Sequence, residues 1–218
     1  MKIKNLVFDL GGVIVPLNRV ACIRAFNDVV GYKDFGDVLR SYRQVGYFDK
    51  FETGRISAPR FREIIRSHSV MTTKDGQPRT VSDEQIDYSL NCFLCDIPQN
   101  RIDALLHFRQ SYRMLLLSNT NPIGMNYCRK LFKAKGYDVK ELFDRLYLSY
   151  QMKVAKPDPD IFKKMMADSG IVPEETLYID DSLANVEAGK ALGFHVVLFN
   201  SKDDLYGKIS EYLEREQR

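Results

Sequence analysis

Short apolar runs at residues 6–9, 114–118, 145–149, 176–180 and 195–199 alternate, through much of the chain, with segments of helical periodicity. Runs of this length without polar interruption read as strands buried on both faces. Parallel strands need long crossover connections, usually helical, so the alternation predicts an α/β fold: a Rossmann-like parallel sheet wrapped by helices. Helices are expected at residues 100–111, where Ile102, Leu105, Leu106 and Phe108 form an apolar face, and at residues 123–135 and 159–169. A further helix at residues 183–192 ends at Gly193 as its C-cap, and residues 203–217 form a closing amphipathic helix on Leu205, Ile209, Tyr212 and Leu213.

The alternation breaks between Pro16 and Asp96. Residues 20–29, 59–67 and 82–92 carry helical patterns there, with no convincing buried strand. The expected organisation is a core of residues 1–16 and 97–218 with a small helical domain, residues 17–96, inserted after the first strand. Asn18 and the segment 96–99, with Pro98, are the candidate hinges. The polar run at residues 72–80 has turn chemistry and reads as a loop of the insertion.

Composition bounds the function. A net charge of +3, with Lys and Arg spread along the chain, gives no argument for a nucleic-acid partner. No apolar run is long enough to span a membrane, and the N-terminus enters a strand directly, so a cytoplasmic location without a membrane partner is expected. Cys22, Cys92, Cys95 and Cys128 are too irregular for a disulfide framework, and the Cys92-to-Cys95 spacing falls in an apolar helical segment, so the thiols are expected to pack as small buried hydrophobes. His68, His107 and His195 are scattered and read as structural or exposed. Nothing in the sequence speaks to oligomeric state.

Chemistry-bearing residues cluster at the predicted strand ends. Asp9 closes the first strand ahead of Gly11 and Gly12, where it serves either as a turn residue or as a carboxylate presented at the ligand-binding edge of a sheet. Asp180 and Asp181 stand side by side after Leu177-Tyr178-Ile179. Asp181 or Ser182 can cap the following helix, but two adjacent acids exceed that need. If this strand lies beside the first, the carboxylates converge, a costly arrangement without a cation, and oxygen-only ligation points to Mg²⁺. Ser118 and Asn119 follow a run of leucines and offer a hydroxyl and backbone N–H groups suited to a phosphoryl oxygen, although the same pair is ordinary loop chemistry. Lys156 precedes Pro157, which biases it toward an extended backbone, and Lys153 competes with it in the same loop.

Taken in order, Asp9-Leu10-Gly11-Gly12, Leu115-Leu116-Leu117-Ser118-Asn119-Thr120, Lys156-Pro157-Asp158-Pro159-Asp160 and Leu177-Tyr178-Ile179-Asp180-Asp181-Ser182 resemble the phosphatases of the haloacid dehalogenase superfamily. The resemblance implies an α/β core with a helical cap that selects substrate, and an aspartyl-phosphate formed at Asp9. It implies Mg²⁺ held by Asp9, the backbone carbonyl of Gly11 and Asp181, with Asp180 acting through water or positioning the others. Ser118 and Asn119 would bind the phosphoryl group, and Lys156, immediately before Pro-Asp-Pro, would offset its charge. Most phosphatases of the family carry a second Asp two positions after the first, as general acid and base, and this chain has Gly11 there. The Asp-Leu-Gly-Gly-Val form is similar to a sugar-phosphatase, glucose-1-phosphatase-like branch that tolerates a non-acidic residue. A phosphatase of a small metabolite such as a sugar phosphate is therefore expected. A catalytically silent phosphate-binding homologue and a haloacid dehalogenase are the alternatives; against the latter stand the paired acids and the absence of a Tyr-Gly-Thr turn after Asp9. In the insertion, Arg40, Arg43, Arg55, Arg60, Arg62 and Arg66 are interleaved with acids and read as a solvated face, while Tyr42, Tyr47 and Phe48 line a pocket or pack the helices.

Overall fold

The computed structural model describes residues 2–40, 46–73, 75–77 and 79–216, so Tyr42, Arg43, Lys74, Pro78 and the side chain of Arg40 lie outside the described residues. The core sheet has five strands: β1 (Asn5–Phe8), β2 (Arg113–Ser118), β3 (Arg145–Leu148), β4 (Thr176–Asp180) and β5 (His195–Leu198), in the order β3-β2-β1-β4-β5. Every pairing is parallel. β1, β2 and β4 are apolar and buried on both faces because helices cover both sides. Leu6 and Phe8 join Leu116, Ile179 and Phe132 on one side, while Val7 joins Leu117, Tyr178 and Phe162 on the other. Full burial of a side chain such as Phe8 contributes roughly 1.5–3 kcal/mol. Connections run from β1 outward to β3 and then cross back to β4, so the topology reverses beside β1, where the carboxyl ends of the strands open a crevice.

Between β1 and β2 the chain forms α1 (Arg19–Ala25), which continues as a π-helical segment at Phe26–Val30, then α2 (Phe35–Arg40), α3 (Tyr47–Glu52), α4 (Ala58–Ser67) and α5 (Asp83–Asn91), before α6 (Gln99–Arg109) returns to the sheet. The helix expected over residues 20–29 is thus α-helical only in its first half, and Gly31, at φ 73°, stops it. Ser57 caps α4, and Ser82 with Gln85 forms a complete capping box on α5. These helices bury their own apolar cluster, built on Phe26, Phe35, Phe51, Phe61, Ile65 and Ile86. Two chain crossings join it to the core and pair side by side, with Asn18 N–H bonding Phe93 O at 2.8 Å and Cys95 N–H bonding Pro16 O at 2.9 Å. One crossing is at Asn18 and the other at Phe93–Cys95, just before the segment 96–99, where Pro98 serves as N-cap of α6.

The remaining helices are α7 (Pro122–Ala134), α8 (Val139–Leu142), α9 (Ser149–Met152), α10 (Pro159–Ser169), α11 (Leu183–Ala191) and α12 (Leu205–Arg215). β3 stops one residue short of the expected strand, since Ser149 opens α9. All four cysteines are free; Cys22 and Cys128 are buried as expected, whereas Cys92 and Cys95 are half-buried at the end of α5. Each histidine packs on a tyrosine: His68 on Tyr32, His107 on Tyr206 and His195 on Tyr212. In the polar run, Thr73 N–H bonds Gln77 O at 2.8 Å and Gly76 N–H bonds Thr73 O at 3.0 Å, the turn its composition suggested. No helix among the described residues is long and apolar enough to cross a membrane.

Candidate active site

Asp9 continues β1 past its last strand residue. Its N–H bonds Ile179 O at 2.9 Å, which fixes the residue against β4 at the topological reversal. Its Oδ1 accepts Leu10 N–H at 2.7 Å and lies 2.9 Å from Lys156 Nζ. The carboxylate is therefore held through one oxygen and only 8% of the residue is exposed. Burial, opposed by Lys156 and reinforced by Asp180 and Asp181, pushes the Asp9 pKa up to about 7.

Lys156 is the buried cation of the site. Its Nζ donates to Leu117 O at 2.8 Å and to Asp180 Oδ2 at 2.6 Å, besides contacting Asp9. Burial disfavours the ammonium, but Asp180 and Asp9 outweigh it, and the lysine pKa is raised. Lys153 takes no part: in a left-handed conformation at φ 62°, it donates to Gly54 O at 2.8 Å in the inserted helical region. The Lys156–Pro157 peptide is cis. Asn119 pairs through its side-chain amide with the backbone of Lys156, donating to its carbonyl and accepting from its N–H, each at 2.8 Å. Asn119 therefore fixes the lysine loop with its side chain, which leaves its backbone N–H as the group it can offer a phosphoryl oxygen. Ser118, at the end of β2, is buried with its hydroxyl 3.4 Å from Asn119 O, a weak bond that it can exchange for a ligand.

The paired acids divide their work. Asp180 is fully buried: Oδ1 accepts from Ser182 N–H at 2.8 Å and Asn185 Nδ2 at 3.0 Å, while Oδ2 accepts from Lys156 and from the Tyr178 hydroxyl. With its lone pairs engaged in this way, Asp180 orients the site. Asp181 is exposed at the cavity edge and lies over Gly12, so closely that a Cβ at position 12 would fall 2.0 Å from its Oδ2. One oxygen from each of Asp9, Asp180 and Asp181 comes within 4.8 Å of the others. Three carboxylates facing one ammonium, with oxygen donors alone, fit a hard divalent cation such as Mg²⁺, for which Asp9 and Asp181 are the available ligands. Gly11 adjoins them, and its φ lies outside the left-handed region.

A cavity of about 1270 Å³ opens over these residues. Its floor includes Asp9, Gly11, Ser118, Asn119, Lys156 and Asp181, and its roof comes from the inserted helices through Arg19, Tyr47, Phe48, Asp49, Glu52 and Arg55. Tyr47 and Phe48 thus do both things the sequence allowed, lining the cavity and packing on Phe61. Among the arginines, Arg60 pairs with Glu63 on an exposed surface as a solvated face would, Arg62 and Arg66 are half-buried in pairs with Asp87 and Asp83, and Arg55 lines the cavity. Sequence reasoning missed Ser149, whose buried hydroxyl lies 2.6 Å from Glu52 O of the insertion and 3.0 Å from Thr120 O, and also accepts Thr120 N–H at 2.9 Å. A serine after an apolar strand carries no signal of this role.

Residues 3–193 match the haloacid dehalogenase-like hydrolase family. The chain is 38% identical over 193 residues to a D-ribitol-5-phosphate phosphatase from Bacteroides thetaiotaomicron, covering 88% of this chain and 89% of that protein. The fold is similar to that of a haloacid dehalogenase family enzyme from the same organism, solved with magnesium and inorganic phosphate (TM-score 0.82, 39% identity, 93% of this chain and 96% of that one). It is also similar to a predicted hydrolase of this type from Porphyromonas gingivalis (TM-score 0.84, 36% identity, 98% of each chain). With a family match along nearly its whole length and relatives at this identity, the chain belongs to the haloacid dehalogenase-like hydrolases.

Proposed function

We propose that this hydrolase is a Mg²⁺-dependent phosphatase acting on a small phosphorylated sugar or sugar alcohol through an aspartyl-phosphate at Asp9. The observation that carries the reading is the buried contact of Lys156 Nζ with Asp9 at 2.9 Å and Asp180 at 2.6 Å, beside the exposed Asp181. Similarity to a D-ribitol-5-phosphate phosphatase supports the substrate class. Asp9 and Asp181, with the Gly11 carbonyl, would hold Mg²⁺, which when bound supplies positive charge to the phosphoryl oxygens. The free oxygen of Asp9 attacks phosphorus; its bond to phosphorus forms as the bond to the substrate oxygen breaks. Ser118 and the Asn119 N–H hold the transferred oxygens, and Lys156 balances the charge that moves from Asp9 onto them. Water then attacks the aspartyl-phosphate, releasing phosphate and restoring Asp9. Gly11 has no side chain with which to protonate the leaving oxygen or activate that water, so both proton transfers fall to solvent.

The insertion, residues 17–96, acts in this reading as the cap, with Arg19, Asp49, Glu52 and Arg55 as the polar groups that meet substrate hydroxyls. Gly11 itself favours a second reading, a protein that binds phosphate without turnover. Phosphate release from a panel of sugar and polyol phosphates, with and without Mg²⁺, separates the two. The phosphatase reading expects Mg²⁺-dependent release that Asp9→Asn abolishes; binding of inorganic phosphate without release from any substrate contradicts it.

A further inference from the structure

Tyr178 and Asp180 lie two residues apart on β4, so their side chains emerge on the same face of the sheet. Tyr178 is fully buried among Phe162 and Phe194, whose ring centroids lie 5.3 and 6.4 Å away. A phenylalanine would make the same ring contacts, so packing does not account for the hydroxyl. That hydroxyl donates to Asp180 Oδ2, the oxygen that also receives Lys156 Nζ. An ammonium has three N–H groups, and those of Lys156 point to Leu117 O, Asp180 and Asp9. Asp180 and Asp9 therefore compete for one cation, and neutral donors on Asp180 decide how firmly it holds its share.

We propose that Tyr178 is a positioning residue for Lys156. By taking up part of the charge on Asp180, its hydroxyl keeps the ammonium extended toward Asp9 and the phosphoryl group instead of drawn back onto Asp180. Ser182 N–H and Asn185 act in the same sense on the other oxygen, at 2.8 and 3.0 Å. The inference rests on the phosphatase reading of this site. It assigns a function to a residue that touches neither substrate nor metal, and it separates tyrosine from phenylalanine at a position where both pack equally well.

The test is Tyr178→Phe, with kcat, KM, the Mg²⁺ concentration for half-activation, and the affinity for inorganic phosphate measured beside thermal stability. The expected result is a roughly tenfold fall in kcat and a similar loss of phosphate affinity, the order of one hydrogen bond to a charged group. Half-activation by Mg²⁺ should be unchanged within about twofold, because Asp181 is untouched. A purely structural hydroxyl would lower stability and leave kcat and phosphate affinity at wild-type values, and that result overturns the proposal. Should Tyr178→Phe not fold, Asn185→Leu, which removes another neutral donor from Asp180, is read by the same criteria. Failure of the wild-type protein to release phosphate from any substrate would defeat the phosphatase reading, and phosphate affinity in the two variants would still decide the role of Tyr178.

Discussion

Gly11 and Gly12 are adjacent but differ in what they tolerate. Gly12 adopts φ +80°, and a Cβ there would lie 2.0 Å from Asp181 Oδ2. Left-handed backbone costs a residue with a side chain about 1–2 kcal/mol, and Asp181 would also have to move. Gly12→Ala should therefore raise the Mg²⁺ concentration for half-activation by roughly 10–100-fold, the effect of disturbing a ligand's support. A metal titration by initial rate checks this. At Gly11 the added Cβ meets only Leu17 side-chain atoms, the nearest at 3.4 Å, an ordinary contact, and φ is not positive. A Cβ at position 11 is thus sterically admissible, and Gly11→Asp should speed hydrolysis of substrates with poor leaving groups more than those with good ones. The gain is bounded by the ~10²–10⁴-fold worth of general acid-base catalysis. Rates of an alkyl and an aryl phosphate, compared in the folded variant at saturating Mg²⁺, decide it; no selective gain would mean that the missing carboxylate is not what limits turnover. Burial pushes the thiols of Cys22 and Cys128 up to about 12, so at pH 8 both are neutral, with the thiolate gained only as pH rises toward that value. Iodoacetamide at pH 8 should leave both unlabelled in the native protein and label both after unfolding, as peptide mass mapping would show.

At the scale of elements, the inserted helices meet the core at α9. Ser149 bonds Glu52 O, Lys153 bonds Gly54 O, and Gly54 sits at φ +62° with its missing Cβ only 2.1 Å from Tyr150 O. Gly54→Ala should push the turn at residues 53–55 off α9 and raise KM for a sugar phosphate at least several-fold, while Asp9 and Lys156, held by β1 and the Asn119 loop, keep their places. Hydrogen exchange should show faster exchange in the inserted helices and unchanged protection in β1 and β4. The sequence made one side of this junction legible and not the other. Strands such as Leu115-Leu116-Leu117 and helices with caps such as Ser82 and Gln85 declare themselves locally, because burial and capping depend on neighbours in the chain. Asp9, Asp180 and Lys156 were visible for the same reason, each sitting at a strand end or before a proline. The short helices α2 and α3 were not: six residues each, they are set by packing of Phe35, Phe48 and Phe51 on distant partners rather than by a sustained period. Ser149 was invisible because its bond across the junction depends on a partner that only the folded chain brings near, Glu52, 97 residues away.

For the whole molecule, the charge at the crevice joins stability to function. Asp9, Asp180 and Asp181 gather at one buried ammonium, that of Lys156, and Asp9 is pushed toward its neutral form. A cation that binds the folded site and not the unfolded chain stabilises by about 2.7 kcal/mol at a hundred times its dissociation constant. For a chain of this size that corresponds to a rise in Tm of roughly 5–10 °C. Thermal melts should show that rise with Mg²⁺ and lose it in Asp181→Asn. The same arrangement sets the kinetics. On the proposed mechanism, transfer to Asp9 from an aryl phosphate, whose leaving group needs no proton, should be fast, while Gly11 would leave water attack on the aspartyl-phosphate without a base. The acyl phosphate should then accumulate and appear as a burst of aryl alcohol. Borohydride reduction of the protein quenched during turnover, followed by peptide mass spectrometry, detects it directly, since an aspartyl-phosphate is reduced to homoserine. The mechanism predicts homoserine at position 9 only when Mg²⁺ and substrate are both present; active enzyme that yields none there, or yields it at another aspartate, would contradict it.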